Sequence, residues 1–396
     1  MASGVHYLVQ YLDIANLLLI MQGCKGVLMT DHNHDKHKDH SPKPGPFQKL
    51  SDFVLNVFDK KYMLLLWIPI ILFVISVGII VHHYASTGDF IYRDVTLKGG
   101  ATIKINNFAG HSSEEIELFL ESKFGKDKTS VRELSELGKQ TGIIIDSSDI
   151  APEDIKSVMV KEYGVTPNTM EINMIGASLG ASFFQETLKA LAVAFLFMAC
   201  VVFLYFGNNF VYKVVSVILS FVATFLVFYG RSVFAFVIAG IIFAVILYLC
   251  IKDSIPSVAI ILAAFCDIVC TWAVTILFGI HIGIVGIAAF LMLIGYSVDT
   301  DILLTTRVLR RKDQSIFEAT MGAMKTGLTM SFAAIAAVLV AYFFTASPTI
   351  KQIMIILFIG LLFDIVNTWL QNAAILRHYL EKKKEKHHHS DEEQDS

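Results

Sequence analysis

The feature that most constrains this chain is the recurrence of long apolar runs almost free of charge. Eight such stretches occur: Met63–Tyr84, Leu188–Phe206, Val211–Tyr229, Val233–Ile251, Val258–Phe278, Ile282–Leu304, Leu328–Phe344 and Ile350–Leu376. Each is close to the roughly 20 residues that a helix needs to cross a hydrocarbon core. Backbone amides in hydrocarbon must be satisfied within their own segment, so helices are the structure open to such runs. Charged residues make up 17% of the 396, against about 25% in soluble domains, and they gather between the runs. The chain therefore reads as a polytopic α-helical membrane protein with soluble appendages, in contact with lipid. Its net charge of −3 says little about partners, and nothing in the chain suggests a nucleic-acid footprint.

Residues 1–62 read as a cytoplasmic N-terminal tail. Its Leu17–Met21 run is too short to span, and Met29 opens a more natural beginning, so residues 1–28 are either tail or an upstream start. His32, His34, His37 and His40 alternate with Asp and Lys, which suits a solvated tail better than a metal site. Residues 63–84 form the first span and 85–186 a soluble domain. That domain is patterned as strand Asp94–Ile105, helix Ser112–Phe124, strand Thr129–Leu137, strand Gly142–Asp146, helix Ala151–Tyr163 and strand Thr169–Ile175. The order β-α-β-β-α-β predicts a ferredoxin-like α+β fold. It holds no Ser/His/Asp or Cys/His set and no phosphate loop, so neither an enzyme nor a cofactor is expected.

Residues 187–207 return the chain to the membrane, 208–252 form a helical hairpin, 253–380 hold four more spans and 381–396 a charged cytoplasmic tail. Lys60, Lys61, Lys213, Lys252, Arg307, Arg310, Arg311, Lys312 and the tail lysines fall on one side, with only Arg231 and Lys351 on the other. The positive-inside rule then puts both termini in the cytoplasm and the folded domain outside the cell membrane. Cys266 and Cys270, one helical turn apart, have no companions for a metal and read as small core residues.

Charge within the bilayer costs at least about 2.5–3.5 kcal/mol, so each intramembrane carboxylate needs a reason. Asp267 and Asp364 lie near mid-depth of their runs. Asp299 and Asp301 lie deeper toward the cytoplasm and, being two apart, point to opposite sides of one helix. Lys325, at the inner edge of the following span, is the candidate cation, with Arg307 as second choice. These residues suit an ion-coupling relay in which an acid changes charge as helices rock, or a static polar network that glues helices together. The Gly-x-Gly-Asp context of an intramembrane aspartyl protease is absent around all of them.

The stretch Gly295-Tyr296-Ser297-Val298-Asp299-Thr300-Asp301, continuing to Arg307, resembles the SecF family of protein-export membrane proteins in its archaeal form. Supporting passages follow in order: Asp94–Thr102 with the glycine pair Gly99-Gly100, Ser178-Leu179-Gly180, Ile255–Val269, Ala323–Met330 and Leu362–Asn372. The resemblance implies a six-helix half of the resistance-nodulation-division (RND) superfamily, with Asn208–Ile251 inserted as a helical hairpin. Because half of such a core does not enclose its central site, it also implies an obligate SecD-like partner. The implied function is to assist unfolded secretory polypeptides crossing the membrane through the Sec translocation channel, coupled to the proton gradient through the membrane acids. Alternatives are half of another RND transporter, for lipid or small molecules, or a scaffold subunit that does not couple. Two departures stand out. Asp299-Thr300-Asp301 replaces the bacterial Asn-Asp-Thr, and Lys325 stands where bacterial members carry Arg.

Overall fold

Gly88 ends the first membrane helix, α1 (Trp67–Thr87), by taking a left-handed conformation at φ 75°, its amide bonded to the Tyr84 carbonyl. The computed structural model describes residues 62–394 except 107, 109–110, 126–128, 137–138, 149, 231–232 and 311–314. The N-terminal tail with its histidines, Arg231, Arg311 and Lys312 therefore lie outside the described residues. Among the described residues, eight helices are long and apolar enough to cross a membrane.

The chain beyond α1 departs from its sequence pattern at once. Where a strand is predicted from Asp94, the structure has a helical turn, α2 (Val95–Lys98), capped by Asp94, whose carboxylate accepts the Val95 amide at 2.6 Å. Strand β1 (Gly100–Asn106) follows only after Gly99. The reason is close approach. Gly99 has φ +83°, and a Cβ there would lie 2.4 Å from the Ala177 backbone. A Cβ on Gly180 would lie 2.6 Å from the Gly99 nitrogen. Only glycines let these two backbones touch.

The rest of the domain adds α3 (Ser113–Phe124), β2 (Thr129–Glu136), β3 (Lys139–Ser147), α4 (Pro152–Tyr163) and β4 (Met170–Ile175). The sheet order is β2-β3-β1-β4, with every neighbouring pair antiparallel. Alternation along β1 buries Ala101, Ile103 and Ile105, and Ile103 faces Ile145 of β3. These side chains meet Ile116 and Leu120 of α3 and Ile155 and Met159 of α4 in one apolar core. Each fully buried Ile or Leu contributes roughly 2–3 kcal/mol of transfer free energy. The opposite face of the sheet, with Thr102, Lys104, Arg132, Ile144 and Asn173, borders a cavity of about 300 Å³ against the membrane helices.

Seven further membrane helices follow: α5 (Ala177–Phe206), α6 (Phe210–Tyr229), α7 (Val233–Asp253), α8 (Ile255–Leu277), α9 (Ile284–Arg310), α10 (Ile316–Phe344) and α11 (Pro348–Val366). The last continues through a wide π-helical turn, Asn367–Asn372, into α12 (Ala373–Gln394). Helix α10 starts at Ile316, where Ser315 and Glu318 form a capping box. Lys325 therefore lies well inside that helix and not at its edge, as the apolar run alone suggests.

The hairpin α6–α7 packs on itself, on α5 and, through α7, on α8. Its ends are tied by Asp253, whose carboxylate accepts the Asn208 and Asn209 amides at 2.7 and 3.0 Å. Buried Ser216, Ser220 and Ala223 let α6 approach closely. Its outward residues, among them Phe221, Phe225, Val237 and Ile241, are apolar.

Candidate functional site

Helix α8 is the centre of the bundle because its sequence is small. Ala259, Ala263, Ala264, Cys266, Cys270, Thr271 and Ala273 are all buried, and short side chains bring α1, α9 and α11 against it. Asp267 projects from this helix into a polar island inside an otherwise apolar core. Its Oδ2 accepts the Ser297 hydroxyl of α9 at 2.6 Å, and its Oδ1 accepts the Asn367 amide at 2.7 Å.

Asp301, from α9, joins the same island. Its Oδ1 accepts both Thr368 Oγ1 at 2.9 Å and Asn372 Nδ2 at 2.8 Å. Asp364, from α11, has its Oδ1 3.2 Å from the same Thr368 hydroxyl. Asp267, Asp301 and Asp364 all have no solvent exposure. The bonds to them come from hydroxyls and carboxamides, and no Lys, Arg or His side chain bonds them among the described residues. Asp301 Oδ2, Asp364 Oδ2, Asn367 Oδ1 and Asn372 Oδ1 are buried without a protein donor. The island thus holds more acceptors than protons to fill them, a composition that takes up protons or a small cation.

Of the residues singled out from sequence, Asp267, Asp364 and Asp301 are brought together. Asp299 is not: it is exposed on the opposite face of α9, in a stripe with Ala288, Met292, Gly295 and Tyr296. Lys325 is also exposed, so it is not the cluster's cation, and Arg307 bonds the Gly322 carbonyl and Thr326 hydroxyl of α10 instead. Of the motif Gly295-Tyr296-Ser297, only Ser297 reaches an acid. The glycine pair Gly99-Gly100 serves the seam between the domain and α5. The three acids are enclosed within this chain.

Asn367, Thr368 and Asn372 were not among the sequence candidates for the site. The available signal was the density of polar residues in Asn367-Thr368-Trp369-Leu370-Gln371-Asn372, unusual within an apolar helix. Thr368 and Asn372, four residues apart, share one face and both reach Asp301 from within the wide turn. Such turns inside α-helices recur at functional sites.

The far end of α9 docks on the four-stranded domain. The Ile282 amide donates to the Tyr92 carbonyl at 2.7 Å, the Asp94 amide to the Ile282 carbonyl at 3.0 Å, and the Ile284 amide to Thr96 Oγ1 at 3.4 Å. Gln352 of α11 donates to the His281 carbonyl and Trp272 of α8 to the Phe90 carbonyl. One helix therefore carries Ser297 and Asp301 of the acid island and also holds the domain.

Residues 155–231 and 228–382 match the family model "Protein export membrane protein SecD/SecF, C-terminal". The chain is 33% identical over 333 residues to the protein-export membrane protein SecF of Pyrococcus furiosus, covering 83% of this chain and 94% of that protein. It is 34% identical over 330 residues to SecF of Methanothermobacter thermautotrophicus, covering 81% and 94%. Its fold is similar to the crystal structure of SecDF, a translocon-associated membrane protein from Thermus thermophilus. The TM-score is 0.51 at 15% identity, over 83% of this chain and 38% of that one, so this chain spans about two fifths of the SecDF length. With a model matched over more than half its length and near-full-length relatives above 30% identity, the chain belongs to the SecF family of protein-export membrane proteins.

Proposed function

We propose that the chain is an accessory subunit of the Sec export machinery that pairs with a SecD-like protein and uses the proton gradient to assist translocating polypeptides. The observation that carries this reading is the enclosed island of Asp267, Asp301 and Asp364. Three anions held together without a bonded cation would cost several kcal/mol, on the order of ~3–5 for each uncompensated charge. An island that admits protons relieves that cost, and its charge then follows the gradient across the bilayer. Helix α9 is the transmission element, with acids on one part and the docked domain at its end.

The charge distribution supports cytoplasmic termini. Arg307 and Arg310 close one end of α9, so the end that holds the domain faces outward. The order β2-β3-β1-β4 supports a ferredoxin-like reading of that domain. Strand β4 is an edge of the sheet with exposed Ile172 and Met174, a surface suited to an extended polypeptide. Pairing is supported by Asp299, a carboxylate on an exposed stripe of a membrane helix. Lipid is a poor neighbour for it, while Ala288 and Gly295 beside it admit a close-packed helix.

Secretion in cells carrying Asp267→Asn, Asp301→Asn or Asp364→Asn tests the coupling. Each is expected to reduce gradient-dependent export while the protein remains in the membrane. Full export by all three would leave only a scaffold role. Co-purification of a SecD-like chain tests the pairing.

A further inference from the structure

Threonines in the membrane helices of this chain mostly donate back to the carbonyl four residues earlier. Thr224, Thr320 and Thr329 each do so at 2.8 Å. Thr368 instead lies between two acids, 2.9 Å from Asp301 Oδ1 and 3.2 Å from Asp364 Oδ1. A hydroxyl has one hydrogen. It can donate to only one of these oxygens, and the other contact is favourable only if that acid carries a proton and donates it to the threonine oxygen. One proton shared between Asp301 and Asp364 would satisfy both contacts.

We propose that Thr368 is a positioning residue that passes this proton between Asp364 and Asp301. The proposal rests on the reading of these two as coupling acids. In one state Asp364 is protonated and donates to Thr368 Oγ1, which donates to the Asp301 carboxylate. Transfer breaks the Asp364 O–H bond as that proton joins Thr368, and breaks the Thr368 O–H bond as its proton joins Asp301. One proton moves from Asp364 to Asp301, and the threonine ends as it began.

The remaining bonds make the two acids unequal. Asn372 Nδ2 donates to the same Asp301 oxygen at 2.8 Å and favours the anion there. Asp267 has a donor on each oxygen, from Ser297 and Asn367. The charged groups that act on this pair are Asp267 from α8 on both and Asp301 on Asp364. The two acids stand on different helices, α9 and α11, so a proton that changes side also changes which helix carries the charge.

The test compares Thr368→Val, Thr368→Ser, Asp301→Asn and Asp364→Asn in cells at matched membrane level, with export of a secretory protein followed against external pH. Val keeps the shape of threonine without the hydroxyl and is expected to lower gradient-dependent export at least about tenfold, as both Asn variants do, while Ser stays within about twofold. In the purified full-length chain, infrared difference spectra across a pH titration should show a protonated-carboxyl band that Asp364→Asn removes and Thr368→Val displaces. Thr368→Ala replaces Val if Val fails to fold. Native export in Thr368→Val with both Asn variants inactive overturns the proposal and leaves the coupling reading intact. So does a Ser variant as impaired as Val, or a carboxyl band unmoved by Val. Native export in all of the variants overturns both.

Discussion

The Arg132 guanidinium of β2 stands 3.4 Å from the buried carboxylate of Asp94, the residue whose backbone holds Ile282 at the head of α9. It also bonds Asp146 of β3. One cation thus serves two carboxylates, one in the sheet and one in the linker from α1, at the seam where the domain meets the membrane helices. Removing it as Arg132→Gln leaves both acids uncompensated. Fully buried pairs lose ~3–5 kcal/mol in this way, and with the Arg132 side chain about a third exposed the expected loss is nearer 2 kcal/mol. Thermal unfolding of the purified protein in detergent measures it, and no change in midpoint would remove the clamp as a stabilising element.

Asp94 gives that seam a pH dependence with a definite sign. Burial first, then the neighbouring Asp146, raise its carboxyl above the ordinary value, with Arg132 opposing. The docked form thus holds the Asp94 proton more tightly than an undocked chain does. Its contribution favours docking as pH falls through the carboxylate range and is lost as pH rises through the raised value. His281, beside it, is pushed down by burial, then by Arg132 and Lys98. The protection factors of the Ile282 and Asp94 amides, taken against their intrinsic exchange rates at each pH, should rise as the medium is acidified, and Asp94→Asn should flatten that slope. An unchanged slope in the variant would assign it to another group.

The close approach of α2 and α5 predicts intolerance of any side chain. Gly180→Ala puts a carbon 2.6 Å from backbone, an atom that cannot swing away. The expected cost is about 1–3 kcal/mol, as in other overpacked sites. Gly99→Ala adds the strain of φ +83° to a 2.4 Å clash and should cost more. Gly164, which has φ +63° but open space around it, is the control: alanine there carries the strain alone. Equal midpoints for all three variants would mean that the seam yields freely.

Much of this architecture is legible in the chain because apolar run length is a direct physical requirement of the bilayer. All eight runs are membrane-length helices, yet their ends are not readable from hydropathy. Helix α10 begins at Ile316 because Ser315 and Glu318 cap it, in a stretch polar enough to pass for a loop. The acids show a different limit. Spacing puts Asp299 and Asp301 on opposite faces of α9, but which face is inward depends on what packs there, and the small residues of α8 decide it in favour of Asp301. Thr368 and Asn372 were hidden for a third reason. They are uncharged, and polar uncharged residues in a membrane helix more often glue helices together than mark a site.

Gly327 of α10 supports that turn from outside. A Cβ there would lie 2.3 Å from the Trp369 ring, in the middle of the turn. Gly327→Ala should push the indole outward and destabilise the protein by about 1–3 kcal/mol. Combining it with Trp369→Leu should recover part of the loss, since the double-mutant coupling of touching residues is typically ~0.5–3 kcal/mol. Trp369 emission in a variant lacking Trp67 and Trp272 reports the displacement directly. Additive losses would show that the two residues do not share the space.

The two faces of α9 make the last prediction, because they assign opposite consequences to acids only two residues apart. Asp301→Leu removes the acceptor of Asn372 and one of the two carboxylates within reach of Thr368, stranding a buried carboxamide, so the isolated chain should lose about 1–3 kcal/mol. Asp299 is exposed and makes no hydrogen bond or ion pair among the described residues, so the stability of Asp299→Leu should stay within about 0.5 kcal/mol of the original. The face that carries Asp299 nevertheless needs a polar neighbour if the helix is to lie against protein and not lipid. Recovery of a SecD-like partner with the purified chain should therefore fall in Asp299→Leu and persist in Asp299→Asn, which keeps a polar side chain. If Asp299→Leu destabilises the isolated chain as much as Asp301→Leu, the outward face is not a free surface. If it keeps its partner at full yield, the pairing runs through a different helix.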